Sequence, residues 1–122
     1  MTETASPDAA FARLDATIAS RKGADAGSSW TAQLLAKGPE KCAEKFGEEA
    51  IEAVIEAVRG DRGRMVSEAA DVLYHLAVML VARDLSLADV AAELTRREGQ
   101  SGIAEKAARS EGGSDVGGET RR

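Results

Sequence analysis

Aromatic side chains are scarce in this chain. Phe11, Trp30, Phe46 and Tyr74 are the whole set, 3% of 122 residues, so the core has to be built from aliphatic side chains and from close helix approach through alanine. Cys42 is the one cysteine and His75 the one histidine. A single thiol excludes an intrachain disulfide, and one Cys with one His excludes a zinc site of the Cys/His type within one chain. A reduced, cytoplasmic setting is the natural expectation. There is no excess of positive charge: the net charge is −5, which argues against binding a nucleic-acid backbone, since that needs a basic face. A small phosphorylated ligand stays open, because a few lysines and a metal suffice to hold one. There is no long apolar run either. The most apolar stretch, Leu76 to Ala82, falls far short of the roughly 20 residues that cross a bilayer, so no membrane partner is expected. The opening Met1 to Ser6 is polar and lacks the basic-then-apolar order of a secretory leader.

What the chain has in quantity is helix formers, above all Ala, Leu, Glu, Arg and Val. Ser6-Pro7-Asp8 has the form of a helix start, an N-cap followed by proline at the first position and an acid in the first turn. Phe11, Leu14 and Ile18 then share one face. The stretch Lys22 to Ser29 is a loop by composition. A short helix is expected from Trp30 to Lys37, with Gly38 past its end, and a third from Pro39 to Gly60, whose apolar face carries Ala43, Ala50, Ile51, Val54, Ile55 and Val58. The fourth, from about Arg62 to Arg83, is apolar over most of its circumference, as befits the centre of a bundle or a dimer interface. Ser86-Leu87-Ala88-Asp89 is a capping box with Asp as the fourth residue. It opens a fifth helix to about Arg97, with Leu87, Val90, Ala91 and Leu94 inward. Gly99 to Gly102 break the pattern, and Ile103 to Arg109 suit one or two further turns. The fold class expected is therefore all-α, a bundle of about five helices completed by dimerisation. Residues 1–109 form its domain, and residues 110–122, rich in Gly, Ser and charge, form a disordered tail.

The chemistry lies in the acids. In Glu48-Glu49-Ala50-Ile51-Glu52, residues Glu49 and Glu52 stand about 60° apart around a helix axis, with Cβ atoms roughly 5–6 Å apart. Alone, that pattern fits a solvated face. Glu68 and Asp71 repeat the spacing on the fourth helix, among Val66, Val72, Leu73, Leu76, Val78 and Met79, where there is little room for a solvated face. Buried carboxylates are expensive and repel one another, and a divalent cation relieves both problems. The turn at Gly60-Asp61-Arg62-Gly63 makes the two helices antiparallel. Glu52 precedes Gly60 by eight residues and Glu68 follows it by eight, so the pairs can face each other. Four hard oxygen ligands suit Mg²⁺, or Mn²⁺, and Mg²⁺ with its waters suits phosphate chemistry.

His75 follows Asp71 by one turn and reads as a substrate contact or a hydrogen-bonded core group. Lys41 and Lys45 precede the acids on the same face. Two readings stand beside each other: a ladder of ion pairs to Glu48 and Glu49, or neutralisation of phosphate charge beside a metal.

The order Glu48-Glu49-x-x-Glu52 followed by Glu68-x-x-Asp71 resembles the signature of the all-alpha nucleoside triphosphate pyrophosphohydrolases. Four stretches, Ser29 to Gly38, Lys45 to Ala50, Ser67 to Leu76 and Ser101 to Arg109, are similar to the phosphoribosyl-ATP pyrophosphohydrolases of histidine biosynthesis. The likeness covers about residues 11 to 109, with Trp30 where tyrosine is more usual. It implies a Mg²⁺-dependent enzyme, a dimer or tetramer, that cleaves phosphoribosyl-ATP between its α- and β-phosphates. It assigns the metal to Glu49, Glu52, Glu68 and Asp71 and the proton transfer to Glu48, Glu49 or Glu52. Contacts to the substrate fall to Lys37, Lys41, Lys45 and His75, with Lys106 and Arg109 from the C-terminal segment. Two alternatives remain at this level. One is a house-cleaning pyrophosphatase for dUTP or a non-standard nucleotide, which would share the same acids. The other is a non-catalytic helical interaction module.

Overall fold

The structure, a computed structural model, describes residues 6–100 together with Lys106, Arg109 and Ser110. Five α-helices account for most of it: α1 (Pro7–Arg21), α2 (Trp30–Ala36), α3 (Pro39–Arg59), α4 (Arg62–Ala82) and α5 (Leu87–Arg97). No strand occurs among the described residues, and the fold is all-α. The chain divides into two compact units, one ending at Asp89 and the other beginning at Val90.

In the first unit the helix ends follow local chemistry. Ser6 Oγ accepts from the Ala9 amide at 3.1 Å and caps α1. Ser29 Oγ does the same for Ala32 at 3.0 Å and caps α2. The loop between them contains one turn of 3-10 helix at Ala26–Ser28, which composition alone did not indicate. Gly60 closes α3 at φ +83°, a left-handed conformation that glycine adopts without a Cβ clash, and Asp61 at once caps α4 by accepting from the Arg64 amide. Two residues therefore reverse the chain, and α3 and α4 form a long antiparallel hairpin. At the start of α5 the Ser86 and Asp89 side chains accept from each other's backbone amides. Asp15 of α1 accepts from the Leu87 and Ala88 amides at 2.8 and 3.0 Å, so an acid 72 residues away satisfies donors at a helix N-terminus.

The core sits at the end of the hairpin away from Gly60. Ile18, Leu34, Leu35, Cys42, Ala77, Val78 and Val81 are buried together, with Leu14, Tyr74 and Met79 packed around them. Each of the Ile, Leu and Val side chains among them contributes roughly 1.5–3 kcal/mol on full burial. Cys42 is a free, buried thiol that donates to the Leu34 carbonyl, and burial raises its pKa. By length and composition α4 resembles a membrane span. Its buried residues, His75, Ala77, Val78 and Val81, are instead accounted for by packing in the helical core, and it carries two acids in its middle.

The apolar stripe of α3 points away from this core. Ile51, Val54, Ile55 and Val58 are exposed, as are Met65 and Val66 at the start of α4. The seam of the hairpin is occupied by Cys42 and by acids, so the stripe is turned outward. On α5, Leu87 and Val90 are half-buried, whereas Ala91 and Leu94, which the helical spacing placed inward, are exposed.

In the second unit, Glu93 accepts from Arg96 and Arg97, which holds its carboxyl down at about 2. Gly99 turns at φ +86° just past the helix. Of the further turns expected at Ile103 to Arg109, Lys106 and Arg109 are described and helical. The expected tail lies, from Glu111 on, outside the described residues.

Candidate metal centre

Helix geometry sets which acids can meet. Glu49 lies on the inner face of α3 two turns after Cys42, and Glu68 and Asp71 lie one turn apart on α4. One carboxylate oxygen from each of Glu49, Glu68 and Asp71 can be chosen so that all three lie within 4.8 Å of one another. These three acids would hold a hard divalent cation such as Mg²⁺, which takes oxygen ligands. Glu49 and Glu68 are half-buried and Asp71 is exposed. Glu52 is not in this group. It is exposed, because the 60° that separates it from Glu49 turns it toward the rim.

The electrostatics fit a missing positive charge. Desolvation, then repulsion from Asp71, Glu52, Glu49 and Glu56, pushes the Glu68 carboxyl above the usual glutamate range. A divalent cation would offset the repulsion among these acids and favour their ionised forms, and the donors are all hard oxygens. Glu56 is an acid that the four-residue pattern does not contain. It is 6% exposed, and its Oε1 is buried without a hydrogen-bond partner. It follows Glu49 by seven residues, two turns on the same face, and that heptad step is the signal by which a reading of the sequence could have found it.

The cations fall into place around the acids. Lys45 is half-buried and donates to Glu48 at 3.1 Å. Glu48, then Glu49 and Glu44, raise its pKa and keep it charged. Lys41 pairs with Glu44 at 2.9 Å, one turn farther out. Of the expected ladder the described residues show the Lys45–Glu48 pair but no ion pair to Glu49, and Lys41 turns to Glu44 instead. His75, one turn after Asp71, is buried, its Nδ1 without a partner. Burial depresses its pKa against the opposing pull of Glu49, so the neutral ring is favoured. Tyr74 stands edge-on to it at 4.8 Å and shares a hydrogen bond with Thr31 of α2. Lys37, at the end of α2, sits 5.9 Å over the half-exposed Trp30 ring. Lys106 and Arg109 belong to the second unit, where both are exposed.

The chain matches the family model for phosphoribosyl-ATP pyrophosphohydrolase over residues 11–98. It is 77% identical over 99 residues to a protein of Dinoroseobacter shibae named phosphoribosyl-ATP pyrophosphatase, covering 81% of this chain and 97% of that one. Proteins of the same name from Ruegeria pomeroyi and Rhodobacter capsulatus are 76% and 72% identical, over 81% and 82% of this chain and 94% and 97% of theirs.

Proposed function

Because the chain belongs to the phosphoribosyl-ATP pyrophosphohydrolase family, we propose that it hydrolyses phosphoribosyl-ATP to phosphoribosyl-AMP and pyrophosphate, with Mg²⁺ held by Glu49, Glu68 and Asp71. The observation that carries the reading is the meeting of those three carboxylates across the α3–α4 seam. Glu52, on the rim, reaches the same region from the adjacent turn. When bound, Mg²⁺ supplies neutralisation of phosphate charge and acidification of a water. The protein's own groups do the rest. Glu48 and Glu49 lie on adjacent positions at the mouth of the seam, and one of them accepts the proton of the attacking water. Lys45, fixed by Glu48, places a permanent positive charge beside the cluster where phosphate oxygens arrive. The family resemblance assigns further substrate contacts to Lys41 and Lys37 and, in the second unit, to Lys106 and Arg109. His75, one turn after Asp71, offers its free Nδ1 as a hydrogen-bonding atom.

The same reading includes a homodimer. Ile51, Val54, Ile55, Val58, Met65 and Val66 form an exposed apolar surface at the Gly60 end of the hairpin, larger than scattered surface apolar residues explain. A second copy of the same face is its natural cover. The single buried thiol and the absence of any disulfide among the described residues fit a cytoplasmic enzyme.

The test is pyrophosphate release from phosphoribosyl-ATP and from ATP, dUTP and dCTP, with and without Mg²⁺, alongside Glu68→Gln. Selective turnover of phosphoribosyl-ATP, lost in the variant and without metal, is expected. Preference for another triphosphate would overturn the substrate. Turnover unaffected by chelation would overturn the metal.

A further inference from the structure

Glu56 is the one acid of α3 that is almost wholly buried, at 6% exposure. Its Oε1 has no hydrogen-bond partner, and among the described residues no lysine or arginine is paired with it. Arg64, the nearest basic residue across the turn by register, is directed instead to Asp61. A carboxylate withdrawn from water without a partner is unfavourable, and an orphaned oxygen of this kind calls for an explanation.

Its position supplies one. Cys42, Glu49 and Glu56 recur at intervals of seven along the inner face of α3, so Glu56 lies in the same seam as Glu49, one turn beyond Glu52. Its charge reaches Glu68 across that seam. It is not among the three oxygens that gather within 4.8 Å; by register it lies two turns from Glu49 on the same face of α3. Mg²⁺ and Mn²⁺ retain several waters when bound by a few carboxylates, and those waters need acceptors for their protons.

Resting on the metal reading above, we infer that Glu56 is a positioning residue of this centre. Its buried carboxylate accepts hydrogen bonds from the waters of a cation held by Glu49, Glu68 and Asp71, and so fixes that cation's hydration shell. Partners of this type typically change metal affinity 10- to 100-fold.

The experiment is titration of the full chain with Mn²⁺ alone, followed by electron paramagnetic resonance, for the wild type, Glu56→Gln, Glu56→Leu and Glu68→Gln. Melting of each metal-free protein is recorded in parallel. Expected are binding by the wild type, loss of the site in Glu68→Gln, and affinity at least about tenfold weaker in both Glu56 variants. The metal-free Glu56 variants should melt no lower than the wild type, because Glu56 Oε1 makes no hydrogen bond for them to lose. Glu56→Leu guards against a misfolded Glu56→Gln, since it leaves no polar atom at position 56. Unchanged Mn²⁺ affinity in either folded variant overturns the inference and leaves the metal centre standing. Failure of the wild type to bind Mn²⁺ overturns both.

Discussion

Replacing Val54 by aspartate separates a face made for a partner from one that is merely apolar. Val54 lies in the middle of α3 and is 61% exposed in the protomer. Its neighbours one turn away, Ala50, Ile51, Ala57 and Val58, carry no charge. Aspartate and valine have similar helix propensities, so the fold of the protomer should change by no more than about 0.5 kcal/mol, as at other exposed positions. The dimer should respond differently. Full burial of a valine contributes about 1.5–3 kcal/mol. With three-fifths of that surface still available to a partner, each copy loses about 1–2 kcal/mol. A two-fold interface counts the change twice, giving about 2–4 kcal/mol, or roughly 30- to 700-fold in the dissociation constant. Desolvation of two carboxylates adds to this. Sedimentation at micromolar concentration should show a dimeric wild type and a monomeric, helical Val54→Asp protein. A monomeric wild type, or a variant that sediments as the wild type does, would refute the reasoning.

Other expectations follow from the core and the acids. Leu34 is 1% exposed, so Leu34→Ala should lower the unfolding free energy by about 2–5 kcal/mol in chemical denaturation. Asp15→Ala removes the acceptor of two amides at the start of α5 and should cost about 1 kcal/mol, read as a lower melting temperature with Mn²⁺ affinity unchanged. The folded-state pKa of Glu68 lies above its unfolded value of 4.5, so the stability linked to it is present below that value and is lost as the pH rises through the raised pKa. In chelator, Glu68→Gln should therefore gain on the wild type as the pH is raised from about 4.5, and parallel melting curves across the range would refute this. His75 has the opposite sign. Its pKa is lowered from 6.5 by burial, so the stability it contributes is present above 6.5 and is lost as the pH falls through the depressed value. The His75→Gln variant should therefore lose less stability on acidification than the wild type does.

The helix ends were legible because each is decided within a few residues. Ser6, Ser29, Asp61 and the Ser86–Asp89 pair have side chains that reach the first free amides, and Gly60 has the one side chain that permits its φ. The acid pairs were legible for a similar reason: spacing along a helix fixes direction around it, and a two-residue turn fixes the pairing of α3 with α4. The direction of the apolar stripe was not. Periodicity marks Ile51, Val54, Ile55 and Val58 as one face but does not say whether that face meets the same chain or another. Glu52 was assigned with Glu49 because adjacent turns lie near one another; the structure resolves the 60° between them into one acid in the seam and one on its rim. Glu56 stands outside the paired spacing of the other acids, and only the burial of its side chain sets it apart.

The placement of the core has a mechanical consequence. The buried apolar core shared by α3 and α4 gathers near Cys42 and Val78, and the hairpin runs from it toward Gly60 like a beam clamped at one end. The acids lie partway along that beam, and beyond them no dry core holds the two helices together. The free end should therefore be the first part to open, and amide exchange should run faster from Ile51 to Met65 than around Val78. A second copy seated on the free end would act as the far support of the span. The precision with which Glu49 meets Glu68 would then depend on how firmly that distant end is held.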